Sequence, residues 1–359
     1  MSHNRLHGKK VLIGLLDWGL GHTARSIPLI SYMLQFQCQI FIAATIEQRK
    51  MLEKEFTGLE YIQIEGYDVR YGDKKGNFIT SILSQLPRLY SIIRRERAWL
   101  DEQMKIHQFD LIISDNRYGL YHPESYSVFI THQMNVISGL GVGADRILRK
   151  IHYSFLRRFT ACWVPDAEGN INLSGVLGHP AELPKPTLYL GPLSRMENLP
   201  AKTILDLLIV LSGPEPQRTI LETIMLSQLT KFQGTWLLVR GLPSAAETGI
   251  PHTVNYLGTA ALNQSLCDAG LVFCRSGYTS IMDLVKLQKK AILIPTPGQT
   301  EQEYLATHMD EQGIFLRARQ QSFQLDESLK KAESFPFQKV DVDFNQYRIV
   351  LSRFIQSLP

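Results

Sequence analysis

The chain alternates short apolar runs with helix-like segments, and this alternation occurs twice along its length. The first series begins with the apolar run Val11–Leu16, which a glycine-containing turn and the amphipathic segment Thr23–Gln35 follow. The second series begins at Leu207–Leu211, which a turn and the segment Gln217–Lys231 follow. Continuous apolar runs are typical of parallel strands that helices cover on both faces. Each series therefore predicts a doubly wound α/β (Rossmann-like) domain.

The segment between the two series, residues 165–200, contains six prolines and predicts little regular structure. A length of 359 residues also fits two domains. We expect an N-terminal domain at residues 1–192, a C-terminal domain at 193–343 and a C-terminal helix within 344–359 that returns to the N-terminal domain. The two domains are expected to face each other across a cleft.

Three local expectations concern segments outside the strands. Phe78–His107 is predicted to be a long helix that is interrupted or kinked near Pro87, because proline lacks the backbone donor that a helix interior needs. Tyr67–Gly76 is polar and contains glycine, so we expect a loop. The last helix, Phe344–Ser357, is expected to follow a polar stretch.

Charge and composition narrow the class of protein. The net charge is +4 and the pI is about 8.7, which is too weakly basic to indicate nucleic-acid binding. The N-terminus is polar, and no apolar stretch approaches the ~20 residues that span a bilayer. The four cysteines form no C-x-x-C pair, and histidines and cysteines show no metal-ligand spacing. We expect a cytoplasmic protein with no metal and no cofactor.

Polar residues follow three strands of the second series, at the turns where parallel sheets bind ligands. They are Ser212-Gly213, Arg275 to Thr279, and Gln299 with Gln302 and Glu303. Small residues and glycine at a helix start leave backbone N–H groups free for phosphate. The amides and carboxylate of the third turn can bind sugar hydroxyls, although Thr300 and Glu303 also have the spacing of a capping box.

The first series places further candidates at its strand ends. Gly19 to His22 follow the first strand, and Asp115-Asn116-Arg117 and His132-Gln133 follow later strands. Histidine and carboxylate side chains can act as a general base. Because these clusters all follow strand ends, we expect them to line one site.

Several nucleotide and hydrolase motifs are absent from the sequence. It contains no G-x-x-x-x-G-K-[ST] loop, no G-x-G-x-x-G fingerprint and no G-x-S-x-G elbow. These absences argue against a Walker-type ATPase, a typical NAD enzyme and an α/β-hydrolase.

The segment Asp145–Phe159 combines apolar and basic residues. Ile147, Ile151, Phe155 and Phe159 recur every four residues among four arginines and one lysine. Such a helix either packs its apolar side on the sheet or lies on an anionic membrane. We therefore consider peripheral contact with the inner face of the cytoplasmic membrane, at the cell envelope.

Taken together, these residues resemble a glycosyltransferase family of GT-B architecture. The similarity is to the peptidoglycan N-acetylglucosaminyltransferase group (MurG-like, family 28). It is carried by Val272 to Asp283, Ala291–Pro295 and Gln299 to Ala306, and more loosely by Gly19 to His22 and His132 to Asn135. The resemblance implies that a UDP-sugar is the donor substrate and that a sugar or lipid-linked molecule is the acceptor.

The resemblance and the strand-end positions together assign three groups of side chains. The catalytic candidates are His22, Asp115 and His132. The donor-binding candidates are Ser212, Gly213, Arg240, Arg275, Ser276, Gly277, Tyr278, Thr279, Asp283, Gln299, Gln302 and Glu303. The acceptor-binding candidates are Gly19, Gly21, Asn116, Arg117, Gln133 and Asn135. Within these groups, Asp283 is expected to bind the ribose hydroxyls, and Gln299 and Gln302 the transferred sugar.

Two departures from the family pattern leave other functions open. Gln133 stands where the family has an acidic residue after the histidine, and Pro214-Glu215-Pro216 replaces small residues. We expect an inverting, metal-independent glycosyltransferase. The alternatives are a UDP-sugar epimerase that uses Asp115 and Glu303, and a catalytically inactive nucleotide-sugar-binding protein.

Overall fold

A computed structural model describes residues 5–67, 78–184, 186–247 and 249–358, without the side chains of residues 78–87. The loop predicted at Tyr67–Gly76 lies, apart from Tyr67, outside the described residues. The described chain forms two compact units. The first contains the residues up to 194 together with those from 342 onward, and the second contains residues 195–341.

The first unit is built on a seven-stranded parallel sheet. Its strands are β1 (Lys10–Leu15), β2 (Gln39–Ala44), β3 (Glu60–Gln63), β4 (Leu111–Asp115), β5 (Tyr126–Ile130), β6 (Ala161–Val164) and β7 (Thr187–Tyr189). Their spatial order is β3-β2-β1-β4-β5-β6-β7. The strand order therefore reverses between β1 and β4, which is where open α/β sheets bind ligands at the carboxyl ends of their strands.

Four helices connect these strands. They are α1 (Gly21–Leu34), α2 (Ile46–Leu52), α3 (Phe78–His107) and α4 (Val142–Leu156). Leu12, Phe41 and Ile112 of the sheet pack with Leu100 of α3 in one buried cluster, as expected for strands that are apolar on both faces.

The second unit contains a six-stranded parallel sheet. Its strands are β8 (Leu205–Val210), β9 (Trp236–Val239), β10 (Thr253–Val254), β11 (Ala269–Cys274), β12 (Ala291–Leu293) and β13 (Leu316–Arg317). Its helices are α5 (Gln217–Leu229), α6 (Thr259–Asp268), α7 (Tyr278–Lys286), α8 (Thr300–Glu311) and α9 (Leu325–Ser334). The order β10-β9-β8-β11-β12-β13 reverses between β8 and β11.

The final helix, α10 (Gln346–Ser357), belongs to the first unit. Gln346 donates a hydrogen bond from Nε2 to the carbonyl of Tyr189 at 3.1 Å. The hydroxyls of Tyr32 and Ser352 are 2.6 Å apart, so α10 is held against both β7 and α1.

The two parallel sheets confirm the predicted α/β fold class. The described part of the proline-rich segment has little regular structure, as predicted, with β7 and a 3₁₀ turn at Gly175–Leu177. The polar stretch before α10 contains α9. The interruption predicted near Pro87 is wrong, because the backbone of α3 is helical through that residue. Short and polar elements carry a weak periodic signal, and neighbouring elements supply the packing that stabilises them.

No described helix has the length and apolar content that crossing a membrane requires.

Candidate functional site

A cluster of four side chains, of which three are buried and His22 is half-buried, lies where the strand order of the first unit reverses. His22 and Arg25 come from the first turn of α1, Asp115 ends β4, and His132 follows β5. Nδ1 of His22 lies 2.9 Å from Oδ1 of Asp115. The structure thus brings together all three predicted catalytic residues and adds Arg25.

Arg25 forms the centre of this cluster. Its Nε donates to Oδ2 of Asp115 at 2.9 Å, and its Nη2 donates to Oδ1 of the same carboxylate. Its Nη1 lies 3.1 Å from Nδ1 of His132. Arg25 and Asp115 are each 2% exposed, so the pair is a fully buried ion pair. Sequence reasoning missed Arg25, although its position three residues after His22 on a helix places both on one face.

The cluster sets the charge of its members. Burial by itself would raise the pKa of Asp115, but Arg25 and His22 outweigh this effect and hold that pKa far below its ordinary value. For His22, burial is the largest influence and lowers the pKa of the imidazole, against the opposing effect of Asp115. A carboxylate that stays ionised beside an imidazole that stays neutral is an arrangement suited to general-base chemistry.

The structure corrects the acceptor role predicted for Arg117. Its side chain is fully buried and donates to Glu96 Oε1 at 2.6 Å, to the carbonyl of Leu15 at 2.9 Å and to the carbonyl of Glu65. Tyr67 stacks beneath the guanidinium, 5.2 Å from ring centroid to Cζ. Arg117 therefore ties strand ends together and presents no surface to a ligand.

The other acceptor candidates lie in turns around the cluster. Gly19 has a φ of +81° in the turn before α1, and Gly21 is the first residue of that helix. Asn116 follows Asp115 with a φ of +56°. Gln133 and Asn135 are half-buried, and the backbone N–H of Asn135 donates to the carbonyl of Leu177 at 2.8 Å. These positions are compatible with acceptor binding, which stays a prediction.

In the second unit, Arg275 connects the loops that follow three different strands. It comes directly after β11, and its Nη1 donates to the carbonyls of Ile294 and Pro295 at 3.1 and 3.3 Å. Its Nη2 donates to the carbonyl of Gln217, the first residue of α5, at 2.8 Å. The turns after β8, β11 and β12 are therefore brought together around one guanidinium.

Arg275 carries a buried charge without a carboxylate partner. It is 1% exposed, and within the described part of the chain it forms no ion pair. Burial lowers its pKa to about 10, so it remains a cation at neutral pH. Its Nε has no hydrogen-bond partner among the described residues. A buried charge that is neither paired nor fully hydrogen-bonded is costly, and a bound anion would remove much of that cost.

A second unsatisfied polar atom lies beside this charge. The hydroxyl of Thr296 is buried and has no partner within the described residues. A Cβ placed on Gly213 would lie 3.4 Å from this hydroxyl and 3.9 Å from Nε of Arg275. Gly213 has a φ of +99°, which an L side chain rarely adopts, so the turn both requires glycine and leaves this space open. Sequence reasoning missed Thr296 because a lone threonine after a strand carries no distinguishing pattern.

The N-termini of α7 and α5 differ in whether a side chain of this protein contacts their backbone N–H groups. At α7, Gly277 is the N-cap, no side chain caps the helix, and a Cβ on Gly277 would meet no atom within 4 Å. At α5, Glu215 accepts a hydrogen bond from the N–H of Thr219 at 3.2 Å and pairs with Arg218. A carboxylate of this chain thus already lies at the start of α5, whereas no side chain caps α7.

Three side chains predicted to bind the donor instead hold the loop after β12 in place. They are Gln302, Glu303 and Ser276. Gln302 accepts from the N–H of Thr296 at 2.9 Å, and Glu303 accepts from the N–H of Gly298 at 2.9 Å. The hydroxyl of Ser276 donates to the carbonyl of Gln302 at 2.8 Å. The helix begins with Gln299 as its N-cap, so the capping box expected at Thr300 and Glu303 was misplaced.

The remaining donor candidates vary in exposure. Tyr278 is 3% exposed and its side chain is buried, so the donor contact predicted for this residue is left to its backbone. Arg240 donates a hydrogen bond from Nε to Glu222 Oε1 and one from Nη1 to Asn255 Oδ1, the second at 3.0 Å. Asp283 lies on α7 and is 9% exposed, and Ser212 is exposed beside Gly213. Thr279 and Gln299 are half-buried at the starts of α7 and α8.

The chain is similar to known glycosyltransferases. Residues 246–342 match the family model of the glycosyltransferase family 28 C-terminal domain. A relative from Pasteurella multocida (strain Pm70), UDP-N-acetylglucosamine--N-acetylmuramyl-(pentapeptide) pyrophosphoryl-undecaprenol N-acetylglucosamine transferase, is 23% identical over 311 residues, which cover 83% of this chain and 80% of the relative.

Solved structures share the fold over almost the whole chain. The spinosyn rhamnosyltransferase SpnG complexed with thymidine diphosphate superposes with a TM-score of 0.61 at 14% identity, covering 98% of this chain and 97% of its own. MurG of Acinetobacter baumannii superposes with a TM-score of 0.52 at 13% identity, covering 97% and 94%.

The chain is a glycosyltransferase of GT-B fold. Its second unit matches the family 28 C-terminal domain over residues 246–342, and the solved glycosyltransferases share its two parallel α/β units.

Proposed function

We propose that this protein is a hexosyltransferase that uses a UDP-sugar, inverts the anomeric centre and needs no metal ion. The acceptor in this proposal is a hydroxyl group of a sugar or of a lipid-linked sugar. The name of the Pasteurella relative, which states a UDP-sugar donor and a pyrophosphoryl-undecaprenol acceptor, supports this choice of substrate classes.

The uncompensated charge of Arg275 carries the donor half of the proposal. A diphosphate placed over Gly213 would accept from Nε of Arg275 and from the hydroxyl of Thr296, the two unsatisfied buried groups. The open N-terminus of α7 at Gly277 would donate backbone N–H groups to the same anion. These groups supply positive charge where the leaving diphosphate develops negative charge, so the protein itself performs what a metal does in other transferases.

His22 carries the acceptor half of the proposal. With Nδ1 hydrogen-bonded to Asp115, its Nε2 holds the lone pair that accepts a proton. As the acceptor hydroxyl attacks the anomeric carbon, its proton passes to Nε2 and the bond from that carbon to the diphosphate oxygen breaks. Asp115 then stabilises the imidazolium, and a single displacement of this kind inverts the anomeric centre.

The epimerase alternative depends on Glu303 as a free carboxylate beside the sugar. The contacts of Glu303 do not favour that function. Its Oε1 already binds the N–H of Gly298. The alternative of an inactive binding protein is not favoured either, because His22 and Asp115 keep acid–base geometry.

A ligand screen tests the donor assignment. Thermal shift with UDP, dTDP and GDP should single out UDP, because a ligand at about 100-fold excess over Kd stabilises a protein by ~2.7 kcal/mol. Asp283→Ala should lower UDP affinity about tenfold or more if Asp283 binds the ribose, whereas Glu333→Ala on α9 should not. A preference for dTDP would refute the assignment of UDP as the donor nucleotide. Equal UDP affinity of the Asp283→Ala and Glu333→Ala variants would refute the ribose contact of Asp283.

The stereochemistry requires a separate measurement. NMR of the product formed from an α-linked UDP-sugar should show a β linkage, with the same rate in excess EDTA. An α-linked product, or loss of activity in EDTA, would contradict inversion or metal independence.

The outer face of α4 supports a contact with anionic membranes. Val142 is 77% exposed, Ile147 62% and Ile151 45%, while the buried residues of this helix are His152 and Leu156. The apolar residues expected on one side of this segment therefore do not share one environment. Ile147 and Ile151 face solvent, whereas Phe159 is buried. Exposed isoleucines among basic side chains match an anionic bilayer surface.

Vesicle sedimentation tests this contact. The protein should bind phosphatidylglycerol vesicles more than phosphatidylcholine vesicles, and Ile147→Gln should weaken binding severalfold. Ile349→Gln on α10, where the isoleucine is 54% exposed, is the matched control. Equal binding by both variants would remove the assignment to α4.

A further inference from the structure

The hydrogen-bond network around Arg25 determines where the protons of two histidines lie. Arg25 contacts His22, Asp115 and His132, and it comes from α1, whereas Asp115 ends β4 and His132 follows β5. A guanidinium has only donors and an ionised carboxylate only acceptors. A histidine nitrogen that contacts only one of these two groups is therefore forced into one role.

The proton of His22 follows from its distance to Asp115. Nδ1 of His22 lies 2.9 Å from Oδ1 of the carboxylate and also 2.9 Å from Nη2 of Arg25. If Nδ1 lacked a proton, its lone pair would face an ionised carboxylate oxygen at hydrogen-bond distance, and that contact would be repulsive. If Nδ1 carries the proton, Nη2 of Arg25 still has Oδ1 of Asp115 as an acceptor. The geometry therefore favours the proton on Nδ1, with Arg25 and His22 sharing Asp115 as their acceptor.

His132 is forced into the opposite tautomer. Nη1 of Arg25 can only donate, so Nδ1 of His132, 3.1 Å away, must accept. A neutral imidazole carries one proton, which then lies on Nε2. The two histidines thus differ, since His22 keeps a lone pair on Nε2 and His132 carries a proton there.

We propose that Arg25 is the positioning residue that makes His22 the base of the reaction and His132 a hydrogen-bond donor. Arg25 acts through the two imidazoles and touches no substrate. The base and donor roles rest on the function proposed above, whereas the tautomers do not. His132, which sequence reasoning placed among the acid–base candidates, then does not take the acceptor proton.

The charges that face His22 agree with this division. They are Arg25 on its own helix, Asp115 from β4 and His132 from the loop after β5. The positive guanidinium opposes a second positive charge on the imidazole, and the carboxylate favours it. Since Asp115 is shared with Arg25, its charge is largely balanced before His22 is protonated.

Nitrogen-15 NMR of the histidine side chains in the full-length protein tests the tautomers directly. At neutral pH the wild type should show His22 protonated at Nδ1 and His132 at Nε2, assigned with His22→Gln and His132→Gln. In Arg25→Gln the Nε2 proton of His132 should no longer be fixed. Identical tautomers in the wild type would overturn the proposal, and this measurement stands even if an Arg25 variant does not fold.

The pH profile of kcat/KM separates positioning from a merely structural role. Arg25→Gln should move the acid limb upward by about one pH unit or more, because removing the positive charge favours the imidazolium. Arg25→Lys keeps the charge but cannot contact Asp115 and His132 together, so its acid limb should stay near that of the wild type while kcat falls. Equal acid limbs in all three proteins would overturn the charge effect.

The two tests also separate this proposal from the proposed function. Opposite tautomers in a protein that transfers no sugar would leave the Arg25 network correct and the proposed function wrong. Transfer activity with identical tautomers would leave the proposed function correct and the Arg25 network wrong.

Discussion

Both units bury an arginine where their strand order reverses, but only one of these arginines has a carboxylate partner. Arg25 of the first unit forms a buried ion pair with Asp115. Arg275 of the second unit is held by backbone carbonyls, and its Nε is unsatisfied among the described residues. The same residue type, similarly buried, thus differs between the units in how its charge is compensated. In the two proposals above, the paired arginine fixes protons on its neighbours and the unpaired arginine binds an anion.

Removing the carboxylate of the first unit should have the largest effect. Asp115→Asn leaves Arg25 buried without its counter-charge, so the free energy of unfolding should fall by about 3–5 kcal/mol. Urea denaturation measures this loss. The matched control is Asp110→Asn, whose exposed ion pair with Lys9 should contribute less than about 1 kcal/mol. Similar losses in both variants would show that Arg25 does not depend on Asp115.

Acid should destabilise the first unit before the second. Burial lowers the pKa of His152 to about 4 from its ordinary 6.5, so the unfolded chain binds the proton first. Stability is therefore lost as the pH falls from 6.5 to 4, by up to about 3 kcal/mol. In the second unit the pKa of Asp268 is lowered to about 2, an effect that matters only below about pH 4.

Hydrogen exchange followed by mass spectrometry resolves the two units in this pH range. Peptides of the first unit should lose protection between pH 6.5 and 4, and those of the second should not. His152→Gln keeps an acceptor for the hydroxyl of Tyr118, which lies 2.9 Å from His152 Nδ1, and should abolish the dependence. Parallel loss in both units would contradict this assignment.

Removing the unsatisfied hydroxyl of the second unit should separate stability from binding. Thr296→Val deletes a buried group without a described partner, so stability should stay equal or rise. UDP affinity should fall about tenfold, since a hydrogen bond to a charged group contributes about 1.5–3 kcal/mol. Calorimetry against Thr223→Val, an exposed hydroxyl on α5, provides the comparison. A stability loss without an affinity loss would show that Thr296 is structural.

An arginine that is already paired should contribute least to donor binding. Arg240 is engaged by Glu222 and Asn255, so Arg240→Gln should change UDP affinity by about twofold or less. The same titration as for Thr296→Val measures it. A tenfold loss would restore the donor role that the sequence predicted for Arg240 and would show that pairing does not decide which arginines bind the ligand.

The sequence alone determined the two parallel α/β folds and the turns that hold candidate side chains. Apolar runs such as Val11–Leu16 and the glycines that follow them are local signals, because burial on both faces and turn geometry act within a few residues. Tertiary structure alone decided which charges are paired. Arg25 and Asp115 are 90 positions apart, and Arg117 finds Glu96 across 21. Whether an arginine is neutralised depends on side chains that the fold brings together, and so nothing in its own segment distinguishes Arg275 from Arg117.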